Sequence, residues 1–178
     1  SPESKIYSKR KSLYGLFHSK EEIRKLDRAI LVEGYMDLIS LYQADIKNVV
    51  ASSGTSLTEE QVQLLSRFTK NIIVLFDADP AGQKASLRSI ELLLKNDFDI
   101  KVMMLPPGED PDSFINKYGK EKFDELLNSA KNFVEFQTAQ FEAEGKFNDP
   151  ITAASAIREI VRTLSLVNDE LKRSLLIK

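Results

Sequence analysis

The sequence contains no cysteine, and it has a single histidine, His18, among its 178 residues. The lack of cysteine excludes disulfide bonds and thiolate metal sites, and one histidine disfavours a zinc cage or a histidine-based triad. No apolar run approaches the roughly 20 residues that a helix needs to span a bilayer, and the first residues lack a signal-peptide pattern. We therefore expect a cytoplasmic protein, with no membrane association and no zinc in this part of the chain.

The charged residues are unevenly distributed. The net charge is −2, but residues 1–28 hold eight basic and four acidic residues, for a net charge of +4, and the remainder carries −6. A nucleic-acid-binding domain is usually basic, and only the segment "SKIYSKRK" at residues 4–11 has that character. The charge of this segment is equally consistent with a run of solvated surface residues that binds nothing. This segment lies near the start of the given sequence, where order is least assured.

Short apolar runs alternate with amphipathic stretches from residue 29 onward. Four continuous apolar runs predict strands that are covered on both faces: "AILV" (29–32), "NVVA" (48–51), "IIVLF" (72–76) and "KVMML" (101–105). The stretches between them, near 35–44, 59–68 and 80–95, have helical spacing. This order predicts an α/β fold, a Rossmann-like parallel sheet of about four strands flanked by helices. The ligand site of such a sheet lies at the carboxyl ends of its strands.

No strand signal follows residue 117, and the patterns of the remaining residues are helical. We therefore divide the chain into a basic lead-in segment (1–28), an α/β domain (29–117) and a small helical subdomain (118–178). The sequence starts without a methionine and ends within a helical pattern, so we expect it to be a piece of a longer protein.

Acidic residues follow three of the four predicted strands. They are Glu33 and Asp37 after the first strand, Asp77 and Asp79 after the third, and Glu109, Asp110 and Asp112 after the fourth. In "LVEGYMD", Gly34 permits the turn that follows the strand and Asp37 falls in the first helical turn. Asp77 and Asp79 are two residues apart, so they point the same way in an extended backbone. Parallel strands bring all these acids to one edge of the sheet.

Some of these acids have an ordinary structural explanation. Asp79 and Asp110 each precede a proline, as helix N-caps do, and Asp37 suits the positive end of its helix. Glu33 and Asp77 are not placed as caps. Because clustered carboxylates repel one another, and the three strand-end motifs contain no basic residue, we expect a cation among them. Anionic oxygen ligands suit Mg²⁺, with Mn²⁺ as a substitute.

A pair of such ions would give the acidic edge a chemical use. Two metals about 3.5–4 Å apart activate an attacking hydroxyl and stabilise a leaving phosphate oxygen, and they need no histidine base. The motifs therefore predict metal-dependent phosphate chemistry.

These motifs resemble those of Toprim domains, the fold shared by primases, topoisomerases and some nucleases. The family signature is a glutamate at the end of the first strand and an Asp-x-Asp after a later one, here Glu33 with Asp77 and Asp79. The fuller strings "EGYMD", "FDADPAG" and "EDPD", with the lead-in "SPESKIYSKRKSLYGL", resemble bacterial replicative DNA primases. The resemblance covers residues 1 to about 116 well, and the helical tail by position and character.

The resemblance implies roles for particular residues. Glu33, Asp77 and Asp79 would be the principal metal ligands and the catalytic acids. Asp37, Asp110 and Asp112 would complete the acidic cluster. Lys9 matches a lysine implicated in nucleotide or template contact, and Lys11 is a second candidate for that contact.

The resemblance also implies an activity and partners. The family makes short RNA primers on a single-stranded DNA template from ribonucleoside triphosphates, and so holds an RNA primer paired to DNA. Its members also have a zinc-binding domain, a basic template-holding subdomain and a C-terminal domain that docks on the replicative helicase, none of which is in this sequence. We therefore expect a bacterial replisome protein, of which this part alone would be inactive.

Three alternatives compete with this interpretation. A Toprim domain of a topoisomerase or nuclease would share Glu33 and the Asp-x-Asp pair, but "EGYMD" and "EDPD" favour a primase. A Mg²⁺-binding receiver domain would need adjacent acids after its first strand and a lysine at a late strand end, which are not visible. An interaction module that works through the helical tail would leave the acidic edge unexplained.

Overall fold

The structure, a computed structural model, describes residues 8–52, 56–75 and 80–177, with the backbone alone for residues 80–86. Within these ranges the strands are Ala29–Val32 (β1), Val49–Ala51 (β2), Asn71–Leu75 (β3), Asp99–Met103 (β4) and Lys131–Asn132 (β5). The helices are Leu16–Leu26 (α1), Tyr35–Gln43 (α2), Glu59–Leu65 (α3), Pro80–Lys95 (α4), Pro111–Asn128 (α5), Phe133–Ala143 (α6), Pro150–Leu164 (α7) and Glu170–Leu176 (α8). Two short 3₁₀ turns lie at Lys9–Lys11 and Lys146–Asn148.

The strands form one sheet in the order β2-β1-β3-β4-β5. The first four are parallel, which confirms the predicted α/β fold. Strand β1 lies at the centre, with β2 on one side and β3 on the other, so the strand order reverses between β1 and β3. In open parallel sheets the ligand crevice lies at this reversal, beyond the carboxyl ends of the strands.

Both faces of the sheet are buried, because successive strand residues point to opposite sides. Leu31 and Val74 belong to one apolar cluster, which α1, α3, α4, α6 and α7 complete. Ile30 and Ile73 belong to the other, which α2 and α5 complete. This two-sided burial explains the continuous apolar runs in the sequence.

Side chains at the helix starts fix where several helices begin. Asp110 caps α5, Asn132 caps α6 and Asp149 caps α7, each by accepting hydrogen bonds from backbone N–H groups of the first turn. Prolines occupy the first position of α5 and α7, where a missing N–H costs nothing.

Strand β5 corrects the expectation that no strand follows residue 117. Its two polar residues pair antiparallel with β4, with Lys101 opposite Asn132 and Val102 opposite Lys131. Their side chains carry no strand signal, so the exposed edge of β4, rather than local propensity, decides the conformation.

The helical tail and the lead-in share the two clusters of the sheet. Phe123 and Leu127, in the second half of α5, lie in the cluster that also contains Leu75. Leu16 and Ile23 of α1 lie in the opposite cluster. Helix α5 runs across residue 117 and bends at Gly119, whose φ is +78°. The boundaries at residues 28 and 117 remain predictions.

None of the helices in the described part of the chain combines the length and the apolar character that a bilayer crossing requires.

Candidate metal centre

Glu33 lies at the strand-order reversal, directly after the last residue of β1. Leu31 pairs with Val74, so β1 and β3 end level with each other. The Glu33 side chain is partly buried. Its carboxylate is therefore carried to the carboxyl edge at the place where the topology predicts a ligand.

The start of α2 fixes the position of the Asp37 side chain. Its carboxylate Oδ2 accepts a hydrogen bond from the backbone N–H of Gly34 at 3.0 Å, within the first turn of the helix. The positive end of α2 favours the negative charge there. Glu33 and Asp37 thus lie on either side of Gly34, where β1 passes into α2.

The role of Gly34 differs from the expected one. Its φ of −93° and ψ of 152° are extended values that any residue adopts, so the turn does not require glycine. A Cβ at this position would lie 2.6 Å from Asp37 Oδ2, which is closer than the van der Waals distance between the two atoms. Glycine therefore leaves open the space that the Asp37 carboxylate occupies, and a larger residue would have to displace that carboxylate.

Asp77 and Asp79 lie outside the described residues, in the segment 76–79 that directly follows β3. Their roles as principal metal ligands remain predictions. In the described part of the chain no three histidine, aspartate or glutamate side chains form a group that could hold a metal ion. The cluster predicted from the sequence would need Asp77 and Asp79 to complete it.

Asp110 and Asp112 have well-defined contacts at the start of α5. Asp110 is the N-cap and accepts a hydrogen bond from the Ser113 N–H at 2.7 Å. Asp112 Oδ1 accepts hydrogen bonds from Asn116 Nδ2 at 2.8 Å and from the Ser40 hydroxyl. Because Ser40 belongs to α2, Asp112 links α5 to the helix that holds Asp37. Metal binding by either residue remains a prediction.

Glu109 has a basic partner that its strand-end motif did not indicate. Its carboxylate contacts Lys117 Nζ at 2.7 Å and accepts a hydrogen bond from the Ser113 hydroxyl at 2.7 Å. The side chain is only 12% exposed. The hydrogen bond from Lys117 and then that from Ser113 lower the pKa of Glu109. The pKa of Lys117 is raised above its usual range by the same contact. Part of the negative charge of the edge is therefore balanced within the protein.

Lys9 and Lys11 lie in the 3₁₀ turn Lys9–Lys11, which we call the basic turn. The chain that follows the turn reaches the sheet at Tyr14, whose N–H and carbonyl both bond to Ala51 at the carboxyl end of β2. The turn therefore lies at the same edge of the sheet as Glu33. Lys9 is partly buried and Lys11 is exposed.

The available donors suit a hard cation. Glu33 and Asp37 supply carboxylate oxygens at one edge, and the sequence contains no thiolate that would select a softer metal. The sequence pattern did not indicate the contacts of Ser40 and Lys117, because both cross between separate turns or helices. The spacing of Thr58 and Gln61 indicated a helix start, but it gave no sign that both side chains contact the turn Lys9–Lys11.

Comparison with known proteins matches residues 30–115 to the Toprim-like family model. The DNA primase of Clostridium acetobutylicum is 42% identical over 173 residues, which are 96% of this chain and 28% of that protein. The solved structure of the Aquifex aeolicus primase, with zinc-binding and RNA polymerase domains, matches with a TM-score of 0.85 and 39% identity, over 99% of this chain and 42% of that one. The catalytic domain of the primase DnaG bound to single-stranded DNA matches with a TM-score of 0.84 and 34% identity, over 98% and 57%.

Proposed function

The chain belongs to the DNA primases and carries their Toprim-like domain, and from this premise we propose that it forms part of a primase catalytic core. The core would join ribonucleoside triphosphates into short RNA primers on a single-stranded DNA template. The chain spans 28% of the length of its Clostridium acetobutylicum relative. For this chain, the substrates and partners of a whole primase, including the replicative helicase, are therefore part of what we propose.

The observation that carries the proposal is the position of Glu33 and Asp37 at the strand-order reversal. Glu33, Asp77 and Asp79 would hold Mg²⁺ or Mn²⁺, with Asp37, Asp110 and Asp112 nearby. When bound, the metal would supply activation of the attacking hydroxyl and stabilisation of the leaving phosphate oxygen. The carboxylates of the chain would orient that metal, and the first turn of α2 would keep Asp37 aimed at it.

The basic turn would supply the opposite charge. Lys9 and Lys11 would contact phosphate groups of a nucleotide or of the template at the carboxyl edge. The chain as a whole carries a net charge of −2. Because affinity for single-stranded nucleic acid depends largely on basic grooves, a template also needs basic surface from another part of the primase.

Metal binding is tested by thermal unfolding of the 178-residue protein with Mg²⁺ or Mn²⁺. A ligand at a hundredfold excess over its Kd raises the melting temperature by roughly 5 °C or more in a protein of this size. We expect this rise in the wild type and its loss in Glu33→Gln and Asp77→Asn. Glu142→Gln, on the exposed surface of α6, is the matched control. A rise that survives both acidic-edge substitutions would contradict the proposed metal site.

Primer synthesis is tested with two proteins, the 178-residue chain and a longer one that includes the preceding basic subdomain of a primase. We expect no oligoribonucleotide product from the short chain and measurable product from the longer one, abolished by Asp77→Asn. Robust synthesis by the short chain would show that the missing parts are not needed to position the template.

A further inference from the structure

Gln61 is a fully buried polar residue, 0% exposed, in the first turn of α3. Its amide oxygen accepts a hydrogen bond from the Thr58 N–H at 3.1 Å, which is half of an ordinary capping box. Its amide nitrogen donates two further hydrogen bonds, to the backbone carbonyls of Lys9 at 2.8 Å and Ser12 at 2.9 Å. These two contacts are not needed to cap the helix.

Thr58 makes the same kind of double contact. Its hydroxyl accepts a hydrogen bond from the Gln61 N–H at 3.2 Å and donates one to the carbonyl of Arg10 at 2.6 Å. Three carbonyls of the basic turn and its exit, those of Lys9, Arg10 and Ser12, are thus bound by two side chains of α3. We call this set of contacts the α3 anchor.

The α3 anchor fixes the basic turn at the edge that carries Glu33. Helix α3 follows the carboxyl end of β2, and Tyr14 bonds to Ala51 at that end. The turn is therefore attached on both sides, by α3 and by β2. The α3 anchor uses only backbone carbonyls, so it makes no demand on the charged groups of the turn.

We propose that Thr58 and Gln61 are positioning residues for phosphate binding, because they hold the turn Lys9–Lys11 where its cations meet phosphates at the metal edge. This inference rests on the proposed function. A lysine side chain is long and flexible, so its value as a phosphate contact depends on a backbone that is fixed in place. The phosphates belong either to a nucleoside triphosphate or to single-stranded DNA, and the two are separated by experiment.

The test uses the full-length primase and variants that separate capping from anchoring. Thr58→Asp keeps a good N-cap acceptor but cannot donate to Arg10. Thr58→Ser keeps both functions. Gln61→Met removes the amide donors without adding charge, but it also removes the oxygen that accepts from the Thr58 N–H, so Thr58→Asp is the variant that isolates the anchor. Gln63→Glu, on the exposed side of α3, controls for the added charge of Thr58→Asp.

We measure KM for the nucleoside triphosphates, kcat, and the salt dependence of single-stranded DNA binding. Gln61→Met and Thr58→Asp should lower kcat/KM by roughly tenfold to a hundredfold, as small misplacements of a contact do. Thr58→Ser and Gln63→Glu should remain within about twofold of the wild type. If the phosphates are those of DNA, the slope of log K against log salt should become shallower by about 0.7 for each lost contact. If they are those of the nucleotide, KM for the triphosphate should rise instead.

A second comparison is made in a Lys9→Ala, Lys11→Ala background. There, Gln61→Met and Thr58→Asp should have no further effect on either measurement, because the cations that they position are gone. Equal losses in both backgrounds, or wild-type binding by folded Thr58→Asp and Gln61→Met, would overturn the inference. So would a Lys9→Ala, Lys11→Ala protein with full activity. Failure of the proposed function itself is distinct, because it would appear as full synthesis by Asp77→Asn.

Discussion

Replacing Gly34 with alanine would place a methyl group in the space that Asp37 occupies. The new Cβ would lie 2.6 Å from Asp37 Oδ2, so the carboxylate must move. That movement breaks the hydrogen bond from the residue 34 N–H, which is 3.0 Å long in the wild type. The backbone itself accepts alanine, because φ of −93° and ψ of 152° lie in the extended region.

Two opposing contributions set the change in the free energy of unfolding. Loss of the capping interaction costs about 1 kcal/mol, within a range of about 0.5–2. Replacing glycine at a compatible φ and ψ returns about 0.4–1 kcal/mol, because the unfolded chain has fewer conformations. We therefore expect Gly34→Ala to destabilise the wild type by about 0–1 kcal/mol. In an Asp37→Ala background the clash is absent, and the same change should stabilise the protein by about 0.4–1 kcal/mol.

The measurement is urea unfolding of the wild type, the two single variants and the double variant. The sign of the Gly34→Ala effect should reverse between the two backgrounds, with a coupling free energy of about 1 kcal/mol. Equal stabilisation by Gly34→Ala in both backgrounds would refute the argument that glycine is needed for space. Metal provides an independent check, since a displaced Asp37 should reduce the rise in melting temperature caused by Mn²⁺.

Three further predictions concern the basic turn, an exposed charge cluster and the core. Lys9→Ala in the full-length primase should lower primer synthesis by about tenfold or more, with thermal stability within about 0.5 kcal/mol of the wild type; unchanged synthesis would mean a solvated lysine. Contacts first with Lys47 and then with Lys120 lower the pKa of Asp45 from its ordinary value of 3.8. These contacts therefore stabilise the fold at pH values above 3.8, and the stabilisation is lost as the pH falls through the folded-state pKa. Urea unfolding should therefore find Asp45→Asn less stable than the wild type at about pH 7. The difference should shrink as the pH falls below 3.8, and a constant difference would contradict the assignment. Phe123→Ala, at a fully buried position, should lower the free energy of unfolding by about 3–5 kcal/mol. Calorimetry should show a single transition, whereas two separate transitions would indicate an independent helical subdomain.

The sheet was predictable because its strands are buried on both faces. Continuous apolar runs located β1 to β4 to within about two residues at each end, and the resemblance to DNA primases is confirmed by the relatives. Strand β5 was not predictable, because Lys131 and Asn132 form it only by pairing with β4. A two-residue polar strand leaves no local pattern.

The site was predictable to the extent that it follows from strand ends. That rule placed Glu33 and Asp37 in one short stretch after β1, where the structure has them, and their roles as metal ligands remain predictions. It could not reveal that Lys117, which lies in α5 eight residues after Glu109, pairs with that carboxylate. Nor could it reveal that Gln61 binds carbonyls about 50 residues away in the sequence. These contacts depend on how separate elements pack, which no local spacing records.

The contacts at the carboxyl edge change the argument for why metal is expected there. The sequence suggested that the acids would repel one another without a cation. In the structure, Glu109 is paired with Lys117, Asp110 caps α5, and Asp37 accepts a hydrogen bond at the start of α2. Each of these contacts stabilises a negative charge without metal. Repulsion is therefore reduced at Glu109, Asp110 and Asp37. Asp110→Asn should consequently not stabilise the metal-free protein, because it weakens the cap of α5, whereas the acidic sequence pattern predicts that Asp77→Asn relieves repulsion.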